Sequence, residues 1–170
     1  MNDYYDEATK LNEHARQQAE FLVLIWGPGK NQAGYDKRCM IRDVLRNLFP
    51  RSKFDFSEDI QIPEIIGTLP KQAVQAKIAK LIIILDISRG AHFEINHFTK
   101  YSWFLSKAWV LVPQEDLNRL DEGGFAWQAL RLIPRQQIKG FTAEELARSD
   151  VAKVMSVDIV TTVAVMELIS

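Results

Sequence analysis

The chain has 170 residues, 47% of them hydrophobic and 25% charged, with 21 Lys and Arg against 22 Asp and Glu. Such a length and balance fit one globular domain with a full-sized core and exclude disordered, collagen-like and disulfide-stapled classes. A formal net charge of -1 supplies no bulk field for nucleic acid or an anionic membrane, leaving only a local basic patch open.

In chain order, residues 1–19 read as a polar N-terminal arm, helical or loosely docked, ahead of a domain over residues 20–170. Met1 to Lys10 is acidic and polar, unlike a signal peptide, and no stretch reaches ~18 consecutive apolar residues, so no membrane contact is expected. The single Cys39 fits a reducing compartment, and the cytoplasm is the expected location. Phe21 to Trp26 is an unbroken apolar run cut off by Gly27-Pro28-Gly29, as in a strand buried on both faces. Tyr35 to Leu48 carries Cys39, Ile41, Val44, Leu45 and Leu48 at helical spacing, and Pro50 ends it. Lys53 to Ser57 alternates as a second strand leading to Glu58-Asp59, and a loop with Pro63, Gly67 and Pro70 follows. Lys71 to Lys80 reads as a helix and Leu81 to Leu85 as a strand buried on both faces, ending at Asp86. A helix is expected from Ala91 to Leu105 and a strand over Ala108 to Pro113. Beyond a turn at residues 121–124, Trp127 to Ile133 is a short apolar segment and Gln137 to Phe141 a last strand. Thr142 opens a capping box, and the tail from Val151 to Ile169 is taken as helix on length. This βαβ alternation predicts a mostly parallel, Rossmann-like or flavodoxin-like α/β sheet of about five strands flanked by helices, with ligands beyond the carboxyl ends of the strands.

Those strand ends carry the candidate chemistry. Gly27-Pro28-Gly29 is either a tight turn or a loop that lets backbone approach a phosphate or sugar; it lacks the spacing of either phosphate-binding fingerprint. Asp59 either turns the chain or faces the crevice. Glu94 follows a buried strand on the helix that begins at Gly90, pointing a carboxylate at the crevice, and Gly90, Glu94, His97 and Tyr101 form one stripe at helical spacing. The alternatives are a helix-dipole role for Glu94 and simple packing for His97. Arg89 either holds an anion or is solvated. Trp103, Phe104 and Trp109 read as core. Ser88 lies at no GxSxG elbow, and three scattered histidines with one cysteine do not make a zinc site.

Residues 20–113 resemble the nucleoside 2-deoxyribosyltransferase-like superfamily of N-glycosyl-bond enzymes. The resemblance rests on Leu24-Ile25-Trp26-Gly27-Pro28, on an Arg of the next helix (Arg38 or Arg42), on Glu58-Asp59, on Ser88-Arg89-Gly90-Ala91-His92-Phe93-Glu94-Ile95, and on Lys107 to Val112. The segment from Trp127 to Leu132 through Phe141 further resembles N-glycosidase-like effectors of bacterial anti-phage systems such as retrons. Where the family carries an Asp before the glycine and a Thr-Ala pair before the Glu, this chain has Ser88 and His92-Phe93.

The resemblance implies Glu94 as the catalytic carboxylate at the anomeric carbon, with Asp59 or Asp86 orienting the sugar or protonating the base. It implies a substrate-binding set of Gly27, Pro28, Gly29, Arg38, Ser88, Arg89, Gly90 and His97, with Arg38 or Arg89 on phosphate. The expected substrate is a nucleoside, nucleotide or NAD, with no cofactor or metal. The expected partners are a second copy of the chain and a defence-system protein. Two other readings stay open, a TIR-like NADase, whose Trp-Cys-x-x-Glu context is replaced by Ala91-His92-Phe93, and a non-catalytic nucleotide-sensing or assembly module.

Overall fold

The computed structural model describes residues 2–61, 67–123 and 128–170. The expectations placed on Pro63, Gly124 and Trp127 fall outside the described residues. Five strands form one parallel sheet: β1 (Leu22–Trp26), β2 (Lys53–Asp55), β3 (Leu81–Leu85), β4 (Ala108–Pro113) and β5 (Ile138–Phe141), in the order β2-β1-β3-β4-β5. The predicted Rossmann-like α/β sheet is therefore the fold. Connections leave β1 toward β2 on one side and β3 on the other, so the topological switch point lies between β1 and β3.

Alternation along each strand divides the core into two layers. Val23, Ile25, Leu81, Ile83 and Leu85 face one side. There they meet α1 (Asn2–Gln18), α2 (Tyr35–Leu48) and α8 (Ser156–Ile169) through Ala15, Ile41, Leu45, Ile159, Val160 and Ala164. Leu24, Trp26, Ile82, Ile84, Val110 and Val112 face the other side. Their partners belong to α3 (Thr68–Ile78), α4 (Arg89–Phe98), α5 (Ser102–Leu105) and α6 (Gln114–Asp121). A short α7 (Ala143–Ala147) starts on the capping box read from the sequence, with Thr142 Oγ1 accepting from Glu145 N–H and Glu145 Oε2 from Thr142 N–H. Each strand side chain covered on both faces contributes about 1.5–3 kcal/mol, which explains why the apolar runs of β1 and β3 were so legible. No helix among the described residues is long and apolar enough to cross a membrane.

One alternative left open by the sequence, that of the N-terminal arm, and the departures from the predicted elements have local causes. The N-terminal arm is a helix that packs on α8, with Ala15 buried and Arg16 Nε donating to Thr161 Oγ1 at 3.0 Å. Helix α3 begins at Thr68, because Pro70 sits in its first turn, where the missing N–H costs nothing. The helix predicted over 91–105 is two helices, broken after Phe98 and restarted at Ser102. In one continuous helix Phe98 and Phe104 would point about 120° apart. The break lets both reach Trp26, at ring-centroid distances of 5.3 and 5.8 Å. Finally, residues 114–121 form a helix that no expectation covered, and the C-terminal helix is preceded by one wide π turn, Val151–Met155, where Ser156 Oγ donates to Val151 O.

Candidate active site

The loop after β1 is fixed by one buried guanidinium. Arg38 Nε and Nη2 donate to Ile25 O at 3.1 and 2.7 Å, and Nη1 donates to Pro28 O at 3.2 Å. Its remaining donors reach Glu58 Oε1 and Oε2 at 2.6 and 3.0 Å, so all five N–H groups are engaged. The expectation that Arg38 binds substrate phosphate is corrected: it holds the strand end and the loop. The same is true of Gly27, Pro28 and Gly29 in part. Gly27 has φ +151°, and a Cβ there would stand 3.1 Å from Leu85 O, so glycine is needed for the close approach of β1's loop to β3. Pro28 O is bound to Arg38, and Gly29 N–H donates to Gln32 Oε1 at 2.8 Å. The loop's polar groups turn inward on their own chain.

Asp59 is also displaced from its expected place. It lies half-exposed on the 3-10 turn Ser57–Asp59, with its carboxylate 3.4 Å from Arg42 Nη1. Its neighbour Glu58, half-exposed, pairs with Arg38 instead. Burial acts to raise the Glu58 pKa, but the Arg38 hydrogen bonds and charge outweigh it, and the net shift is downward. Phe56 stacks beneath both arginines, with Arg38 Cζ 4.0 Å and Arg42 Cζ 4.3 Å from its ring centroid.

Glu94 stands across from this ion pair on α4. Gln72 Nε2 of α3 donates to Oε1 at 2.7 Å, fixing the carboxyl plane. The other oxygen, Oε2, is buried without a hydrogen-bond partner among the described residues. Burial pushes Glu94 up to about 7, against the opposing influence of the Arg38 charge and the Gln72 hydrogen bond, while Glu58 adds to the rise. Sequence reasoning passed over Gln72 and, within the Glu58-Asp59 pair, singled out Asp59 instead of Glu58. The signal for Gln72 was a polar residue in line with Ala73 and Ala76 on the inward side of a helix.

Asp86 leaves the end of β3 only 1% exposed. Its Oδ1 lies 3.0 Å from His92 Nε2 in the first turn of α4. Burial pushes Asp86 up to about 8, with Asp116 of α6 adding to the rise, and burial lowers His92. Both shifts favour a neutral carboxylic acid beside a neutral imidazole. Residues 92 and 94 differ by about 200° around a helix, so Asp86 and Glu94 sit against different flanks of α4. Each has its own set of neighbours.

The remaining expected residues have plainer roles. Ser88 is the N-cap of α4, its Oγ accepting from Ala91 N–H at 3.2 Å. Arg89 and Gly90 are exposed in the first turn, and a Cβ on Gly90 would meet nothing closer than 3.9 Å, so no steric demand selects glycine there. His97 packs in an aromatic row, stacked on Phe93 at 6.2 Å and edge-on to Phe98 at 4.9 Å. Tyr101 lies on the turn between α4 and α5, so the expected four-residue stripe ends at His97. A separate apolar cleft of about 430 Å³ opens near Ile87, Pro113, Phe141 and Leu146, at the carboxyl ends of β4 and β5.

No protein-family model matches this chain, and no curated protein matches its sequence.

Proposed function

We propose that the chain is an N-glycosidase or deoxyribosyltransferase-like enzyme that cleaves the bond between base and sugar in a nucleoside, nucleotide or NAD. The observation that carries this reading is Glu94: a carboxyl group aimed by one donor, with its second oxygen buried and unpartnered among the described residues, at the switch point of a parallel sheet. A carboxylate so poorly solvated gains most when positive charge develops beside it, as at the anomeric carbon in an oxocarbenium-like transition state. One Glu94 oxygen bonds to C1′ as the C1′–N bond breaks. The bonding pair leaves with the base; a purine or pyrimidine then takes up a proton, whereas nicotinamide leaves neutral, its ring cation discharged by the pair. Water then displaces Glu94 from C1′ and releases the sugar, or a second base does so and the sugar is transferred. Asp86, 1% exposed on the other flank of α4 from Glu94, takes no part in this step, and the proton comes from water.

The test is release of free base from a panel of nucleosides, nucleotides and NAD, followed by chromatography. Wild type should release base from at least one of them, and Glu94→Gln should lower the rate by about 10³-fold or more with the fold unchanged. Full activity in that variant overturns the assignment. The pH profile sharpens it: kcat/KM should rise through about 7 as Glu94 ionises. A profile flat through about 7 removes Glu94 from the reaction.

A further inference from the structure

From Gly67 to Lys107 the sequence carries six cations and two acids, Asp86 and Glu94, whereas the rest of the chain carries fifteen cations and twenty acids. Asp86 is buried and Glu94 partly buried, and both are held toward their neutral forms. The chain's balanced charge therefore conceals a basic face formed by α3, α4 and α5. Two of its cations are committed elsewhere: Lys80 pairs with Glu167, and Lys107 Nζ donates to Ala76 O, Lys77 O and Ala79 O at the end of α3. Lys77, Arg89 and Lys100 are exposed and form no ion pair among the described residues. Lys77 Nζ lies 5.8 Å from the Trp103 ring and Lys100 Nζ 5.2 Å from the Tyr101 ring.

The same face carries a row of rings. Phe93 and His97 stack at 6.2 Å, His97 and Tyr101 follow at 6.5 Å, and Tyr101 and Trp103 stack at 5.6 Å. Phe93 is 57% and Tyr101 38% exposed, although burial is the usual fate of such rings. Buried Phe98 backs the row, 6.2 to 6.3 Å from Tyr101 and Trp103, which holds it in place. Presented rings interleaved with exposed lysines fit a ligand with a flat face and a phosphate at each repeat. We infer that the α3–α5 face binds a single-stranded polynucleotide, whose bases stack along Phe93, His97, Tyr101 and Trp103 while Lys77 and Lys100 neutralise its phosphates. Phe93 adjoins Glu94, so the row leads to the proposed reaction centre. Only that last link rests on the proposed function; binding stands without it.

The probes are fluorescein-labelled single strands of about twelve nucleotides, deoxy and ribo, and the deoxy sequence as a duplex, followed by anisotropy. At least one single strand should bind more tightly than the duplex, whose bases are already stacked. Phe93→Ala and Tyr101→Ala should each weaken binding by about tenfold. The double variant Lys77→Gln, Lys100→Gln should flatten the slope of log Kd against log salt by about 1.4. Sedimentation and circular dichroism on each variant check that the fold and oligomeric state are kept. No binding at low salt, equal affinity for the duplex, or ring variants that bind like wild type overturns the inference. So does Phe93→Ala dissociating a dimer, which would make the face a contact between copies of the chain. Tight binding without base release from any substrate retains this inference and removes the proposed function, and base release from free nucleosides without strand binding does the reverse.

Discussion

Glu94 and Asp86 leave the same strand-to-helix connection, yet the two flanks of α4 treat them differently. On the α3 flank, Glu94 has one amide donor and feels the Arg38 charge, so burial lifts it only to about 7. On the α6 flank, Asp86 has a second acid nearby and no side-chain or backbone donor on its oxygens among the described residues, and it reaches about 8. Burial alone does not set the pKa. The difference lies in what each flank offers in place of water, a hydrogen-bonded frame on one side and a neighbouring imidazole and acid on the other.

The largest effect should come from breaking the frame of the first flank. Arg38→Ala leaves Ile25 O, Pro28 O and the Glu58 carboxylate without their donor, which should cost about 3–5 kcal/mol in urea denaturation. A loss below about 1 kcal/mol would mean that the β1 loop does not depend on it. The second flank is tested by pH. Asp86 gives up its proton at about 3.8 when unfolded and about 8 when folded, so between these values the folded state holds the extra proton. Its contribution to stability therefore falls as pH rises through that window. From about pH 5 to about pH 7.5 the loss attributable to Asp86 is about 3 kcal/mol, and Asp86→Asn should flatten the stability curve by that amount. An unchanged curve would mean that Asp86 is ionised and paired with protonated His92. The smallest effect joins the two: Gln72→Leu removes the donor to Glu94 Oε1, at a cost of about 1 kcal/mol near neutral pH, and moves the rising limb of the activity profile above about 7. If the limb stays in place, Gln72 does not orient the carboxyl group.

The strands were readable because a parallel sheet covered on both faces demands uninterrupted apolar residues; β3 and β4 fall on the predicted Leu81–Leu85 and Ala108–Pro113. Helix Tyr35–Leu48 was readable through its amphipathic spacing and the Pro50 stop. What stayed hidden depends on tertiary contacts. Nothing in Thr99-Lys100-Tyr101 breaks a helix locally; the break is imposed by Phe98 and Phe104 converging on Trp26. Residues 114–121 hold few apolar positions, although Glu115 and Asp116 in the first turn and Arg119 in the last were available signals. The Glu58-Asp59 pair was located but not phased, since adjacent residues in a tight turn point in different directions. The loop arginine was legible as a site residue but not as a saturated one, because saturation is a property of its carbonyl partners.

The outermost strands are brief, three residues in β2 and four in β5, while the inner ones run to five and six. A sheet margin so short offers an approaching chain almost no ladder on which to add a strand, which guards a β-rich interior against fibril-like growth. Recognition by this molecule must therefore use side chains on its helices and loops, and chemical changes to that outer shell can alter what it binds without endangering the sheet beneath.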